Sequence, residues 1–170
     1  MCIPATFVNF AYGSNMLTRR MRERAPSARA VAVAVLSGYE LRWHKISKDG
    51  SGKCDVVPIA TTPDAVTGVL YEILTSEKGE LDKAEGLGNG YAETEMVVES
   101  ESGSTRALVY YATNVDPSAV PYTWYKALVV AGAKEHSLPV AYIRKLDAVS
   151  ARVDSNVKRA QKYFSIANAV

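Results

Sequence analysis

Glu85 is the carboxylate whose setting in the sequence best suits proton transfer. It ends a short helical pattern that carries Leu81 and Ala84, and Gly86 follows it directly. The negative end of the helix dipole and the unpaired carbonyls there disfavour a charged side chain. Burial beneath the glycine-rich turn Gly86-Leu87-Gly88-Asn89-Gly90 would add to this, and would suit a carboxyl that both accepts and donates protons near neutral pH. The competing expectation is an exposed glutamate at a helix end.

A second candidate is Tyr12-Gly13-Ser14-Asn15. A glycine turn that feeds a helix N-terminus aims free backbone N–H groups at one spot, which can hold an anion. The simpler alternative is that Ser14 or Asn15 caps its own helix. Among other reactive types, His44 and His136 carry no triad or metal-ligand spacing, and Cys54 heads a short apolar strand as a small buried hydrophobe would. Gly86, Gly88 and Gly90 follow a helix, whereas a dinucleotide fingerprint needs a strand before it.

The elements that must position these residues are legible from periodicity. Thr6 to Tyr12 reads as a strand, and Leu17, Met21 and Ala25 as a helix that stops at Pro26. Arg29 to Leu36, Tyr39 to Trp43, Asp55 to Ala60 and Gly68 to Ile73 read as strands, with a turn or mobile loop at Ser47 to Lys53. Ser76 is expected to cap the helix that ends at Gly86, and Tyr91 to Glu99 with Thr105 to Thr113 forms the clearest hairpin. Helices are expected over Tyr122 to His136, from Pro139, and from Asp154 onward. The class is α+β, a small mixed β-barrel with flanking helices, in one domain spanning residues 1–170.

The bulk properties exclude several roles. With 48% apolar and 22% charged residues the 170-residue chain can bury its own core. A net charge of +2 gives no footprint for nucleic acid or an anionic membrane, and the run Arg19, Arg20, Arg22, Arg24 reads as the solvated face of a short helix. Cys2 and Cys54 form no disulfide framework. Met1-Cys2-Ile3-Pro4 lacks the charged start of a signal peptide, and no apolar run approaches the roughly 18 residues of a membrane span, so a cytoplasmic protein is expected.

Together these segments resemble the γ-glutamylcyclotransferase family. Tyr12-Gly13-Ser14-Asn15 matches its YGSN-L loop, with Met16 in the leucine position. Gly68-Val69-Leu70-Tyr71, then Leu81-Asp82-Lys83-Ala84-Glu85-Gly86 with Tyr91, then Tyr110-Tyr111-Ala112-Thr113-Asn114 follow in the family's order. Tyr125-Lys126 through Gly132-Ala133-Lys134-Glu135 and Leu138-Pro139 completes the match, which runs from about Phe7 to Leu146 and leaves 147–170 uncovered. The resemblance implies release of 5-oxoproline from a small γ-glutamyl amino acid or amine, with no metal and no cofactor. It also implies Glu85 as acid and base, and Tyr12, Gly13, Ser14, Asn15, Met16, Tyr91, Tyr110 and Tyr125 around the substrate.

Asn15 argues against the glutathione-specific branch, which resembles YGSL, and against the γ-glutamyl-ε-lysine branch, which resembles YGT-L. Two rivals stand beside this reading: a deprotecting cyclotransferase acting on a γ-glutamyl amine, and a non-catalytic binding protein on the same scaffold. The sequence leaves open whether two chains pair as a homodimer, whether Ser47 to Lys53 closes as a lid, and whether 147–170 is a capping helix or an interface.

Overall fold

Alternating apolar residues from Thr6 make the first strand, β1 (Thr6–Ala11), in a computed structural model that describes residues 4–60 and 63–169. Cys2 and the rest of the N-terminal tetrapeptide up to Ile3 lie outside the described residues. After β1 come a 3-10 turn (Ser14–Met16), α1 (Thr18–Arg22), β2 (Arg29–Ser37), β3 (Tyr39–Ile46), β4 (Gly52–Pro58) and β5 (Ala65–Leu74). A further 3-10 turn (Thr75–Glu77) leads into α2 (Lys78–Glu85), followed by the hairpin β6 (Tyr91–Ser100) and β7 (Gly103–Ala112). Three helices finish the chain: α3 (Thr123–Glu135), α4 (Val140–Asp147) and α5 (Val157–Ala167).

Five strands close into a barrel in the order β1-β5-β2-β6-β7. The pairings are antiparallel except for the seam between β1 and β7, which is parallel and registers at Asn9 and Leu108. Asn9 is buried there, and its Nδ2 donates to the Leu108 carbonyl at 3.1 Å. A side-chain amide thus supplements a sparse ladder, and closure leaves no barrel strand with an open edge. The expected small mixed barrel is present.

Four local expectations change. Neither Ser14 nor Asn15 caps α1 with its side chain; both lie in the 3-10 turn, and the cap position falls to Leu17. Ser76 likewise does not cap α2, whose cap position is Glu77. β3 and β4 leave the barrel as a separate two-stranded ribbon. Ser47 to Lys53 is a fastened turn rather than a mobile loop: Ser47 N–H donates to Ser51 O at 3.0 Å, and Asp49 accepts from the Ser51 N–H and hydroxyl at 2.9 and 2.7 Å. Arg152 also donates to Gly50 O at 2.8 Å. Fixed at so many points, this turn serves as a wall and not as a lid.

The C-terminal segment is part of the packed structure. Trp124 of α3 stacks on Tyr163 of α5 at 4.2 Å between ring centroids, and its Nε1 donates to buried Asp154 at 2.8 Å. Stacked aromatic pairs of this kind add to simple area burial and, with the Asp154 contact, hold α5 on α3.

Candidate active site

Glu85 sits at the last turn of α2, and Gly86 ends that helix in the left-handed region at φ 76°, where glycine carries no steric penalty. The side chain is 13% exposed. Asn15 Nδ2 donates to Glu85 Oε1 at 2.7 Å, and Arg24 makes an ion pair with the same oxygen. No hydrogen bond from the described residues reaches Oε2. The carboxylate is therefore pinned through one oxygen and free through the other.

The 3-10 turn that carries Asn15 is held from behind by α3. A β-carbon at Gly132 would meet the Leu17 nitrogen at 2.4 Å and Met16 at 2.7 Å, so the turn and the helix touch backbone to backbone. Within the turn, Met16 N–H donates to Gly13 O at 3.0 Å and Leu17 N–H to Ser14 O at 3.3 Å. The N–H groups of Gly13, Ser14 and Asn15 donate to none of the described residues. These are the free donors that an anion requires.

A cavity of ≈ 360 Å³, open mouth included, joins Tyr12, Gly13, Ser14, Asn15, Glu85, Tyr91, Tyr110 and Tyr125. Sequence reasoning placed all of these at one site, and the structure brings them together. Met16 is the exception. It is fully buried against α3, away from the cavity, so its role is in the core. Tyr110 lines the cavity and its neighbour Tyr111 does not, as strand alternation requires.

The four tyrosine hydroxyls are tied into the wall. Tyr12 donates to Tyr110 O, Tyr91 donates to Cys54 O at 2.7 Å, and Tyr110 donates to Asp82 at 2.5 Å. Tyr125 OH accepts the Cys54 N–H at 3.1 Å. Burial drives the pKa of Tyr12, Tyr91 and Tyr125 well up, and burial with the Asp82 contact does the same for Tyr110. They shape and dry the cavity rather than exchange protons. Cys54 is 1% exposed with its thiol pushed up to about 12, also by burial, and is no nucleophile.

Neither histidine enters the cavity. His44 Nε2 lies 2.8 Å from Asp55, which also accepts the Ala112 N–H at 2.7 Å, so this pair fastens the β3–β4 ribbon to β7. His136 meets Thr18 Oγ1 and Tyr71 OH, each at 3.1 Å, behind the site.

The expectation of a solvated face for the basic run holds for Arg19 and Arg22, which are exposed, and fails for the other two. Arg20 and Arg24, four residues apart, turn inward with side chains 14% and 16% exposed. Arg20 stacks over Tyr163 of α5 at 4.8 Å. Together with Lys45 and Lys53 they line a second, wider cavity that shares Ser14, Glu85, Tyr91 and Tyr125 with the first. The sequence offered one signal for Lys45: it continues the alternate positions Tyr39, Leu41 and Trp43 of β3.

Residues 65–146 match the AIG2-like family. γ-Glutamylcyclotransferases of Bos taurus and Homo sapiens are each 35% identical over 150 residues, a span that takes in 85% of this chain and 79% of theirs. A solved structure named γ-glutamyl cyclotransferase superposes with a TM-score of 0.81 at 31% identity, covering 93% of this chain and 99% of the other.

Proposed function

Because the chain belongs to the γ-glutamylcyclotransferase family, we propose that its tyrosine-walled cavity releases 5-oxoproline from a small γ-glutamyl compound, with Glu85 moving the protons. The observation that carries this reading is the placement of Glu85 beside Asn15 at the tyrosine-walled cavity, one oxygen held and one free.

The chemistry suits such a site. Nucleophile and electrophile belong to one substrate, so the enzyme's task is to fold that molecule and exchange protons, without a nucleophile of its own. The free N–H groups of Gly13, Ser14 and Asn15 take the glutamyl carboxylate. Glu85 Oε2 accepts a proton from the substrate α-ammonium. The freed amine attacks the γ-carbonyl carbon, the new carbon–nitrogen bond closes the five-membered ring, and the amide bond to the leaving amine breaks. The ring nitrogen gives up two protons in all and the departing amine gains two, so a single carboxyl that accepts and donates twice in succession suffices. Dry tyrosine walls keep water from competing for the carbonyl.

No helix among the described residues is long and apolar enough to cross a membrane. A cytoplasmic location is part of the same proposal, and rests on the sequence features already described.

The test is 5-oxoproline release from γ-glutamyl amino acids, wild type against Glu85→Gln. Glutamine keeps the shape and can still accept from Asn15, so loss of the proton carrier alone is expected to lower kcat by about 10²- to 10⁴-fold. Equal turnover in the variant would remove Glu85 from the mechanism. Absence of turnover in the folded wild type would favour a ligand-binding protein.

A further inference from the structure

Lys45 is 8% exposed, yet among the described residues its ammonium has no hydrogen bond and no ion pair. It rests 4.7 Å from the centre of the Tyr91 ring and presses on Gly90, where a β-carbon would come within 3.2 Å of Nζ. The register of β3 against β4 shifts between Arg42 and Lys45, and such irregularities re-aim side chains. The result is a largely buried lysine whose side chain lines the wider cavity together with Glu85.

The neighbouring cations are already engaged. Arg24 pairs with Glu85, Lys53 with Asp49 at 3.0 Å, and Arg20 with Glu23 at 3.0 Å. Arg20 also leaves its Nε buried without a partner at the same cavity. No described side chain engages the Lys45 ammonium directly, so an anionic ligand entering the cavity can pair with it. Desolvation lowers the Lys45 pKa, while the charges of Glu85 and Asp49 oppose that shift.

We propose that Lys45 is a specificity-determining residue that binds the α-carboxylate of the leaving amino acid, so that the enzyme selects γ-glutamyl amino acids over γ-glutamyl amines. This rests on the cyclotransferase reading and deepens it. The glutamyl carboxylate occupies the free N–H groups of the Gly13 turn, and the scissile amide lies against Glu85. The leaving group therefore extends toward the wider cavity, which adjoins the first through the shared residues Ser14, Glu85, Tyr91 and Tyr125. A leaving amine that carried a second positive charge would meet Lys45, Arg20 and Lys53, and would be disfavoured.

The experiment compares γ-glutamyl-L-alanine with γ-glutamyl-ethylamide, which differ only in the leaving-group carboxylate. Lys45→Met is expected to lower kcat/KM for the alanine compound about 10- to 100-fold more than for the ethylamide, mainly through KM, as loss of a charge-assisted contact would. Lys45→Arg should restore most of the discrimination. If the methionine variant does not fold, Lys45→Gln serves the same comparison. An equal loss on both substrates, with the wild type active, would overturn the inference and leave the cyclotransferase reading intact. Absence of 5-oxoproline from the wild type with both substrates would overturn both.

Discussion

Asn15 and Glu85 are seventy residues apart in the chain and 2.7 Å apart in space. The contact joins the turn after β1 to the end of α2, so the turn with the free N–H groups also fixes the Glu85 carboxyl at the cavity. Asn15 Oδ1 is buried without a partner, so Nδ2 alone does this work.

Asn15→Ala should therefore act as a positioning defect. Glu85 keeps Arg24 but loses its second restraint, and kcat should fall about 10- to 100-fold with a smaller change in KM. Asn15→Asp, which places a second carboxylate beside Glu85, should be worse than alanine. Steady-state kinetics on one γ-glutamyl amino acid decides this, and a loss confined to KM would contradict it.

Gly132→Ala tests the support from behind. The added β-carbon would meet backbone atoms of Leu17 and Met16, which cannot swing aside as a flexible side chain can. Overpacking of this kind costs about 1–3 kcal/mol. Because the strain falls on the turn that carries Asn15, activity should drop together with Tm. A variant with unaltered Tm and activity would show that the turn yields freely.

The parts of the site that were legible in the sequence were those set by local pattern. Glu85 beside Gly86 and the Tyr12-Gly13-Ser14-Asn15 turn are each short, and strand alternation fixed which of Tyr110 and Tyr111 faces inward. Met16 sat within the motif but packs on α3, because a turn one residue further along already points to the opposite side. Arg24 and Lys45 were hidden for a different reason. A charged side chain reads as solvated unless something distant covers it, and here the covers are α2, α5 and the glycine turn before β6. The fastened turn at Ser47 to Lys53 was hidden likewise, since Arg152 and Tyr122 that bind it lie far along the chain.

Cys54 should behave as an inert thiol despite its place on the cavity wall. With its pKa raised to about 12, almost none of it is thiolate at pH 8. In a Cys2→Ser background, a disulfide reagent should label the native protein far more slowly than the unfolded chain, and saturating substrate should make little difference. Rapid native labelling that abolishes activity would restore Cys54 as a reactive group.

Asp154 gives the fold a dependence on acid. Its buried carboxylate accepts from Arg159 Nε and Nη2 at 2.6 and 2.7 Å, from the Asn156 N–H at 2.9 Å and from Trp124 Nε1 at 2.8 Å. Arg159 above all, with these N–H donors, holds its pKa well below the ordinary carboxylate range, against the opposing effect of desolvation. A carboxyl with a lower pKa folded than unfolded stabilises the native state above its unfolded pKa, about 3.9, and loses that contribution as pH falls toward the folded value. Asp154→Asn removes the titration. The difference in Tm between wild type and variant should accordingly be constant from neutral pH down to about pH 5, then narrow as the pH is lowered through 4 and below. Thermal melts across that range decide it: a difference that does not narrow in acid would mean that the contacts joining α5 to α3 stabilise through packing of Trp124 and Tyr163 and not through the charge.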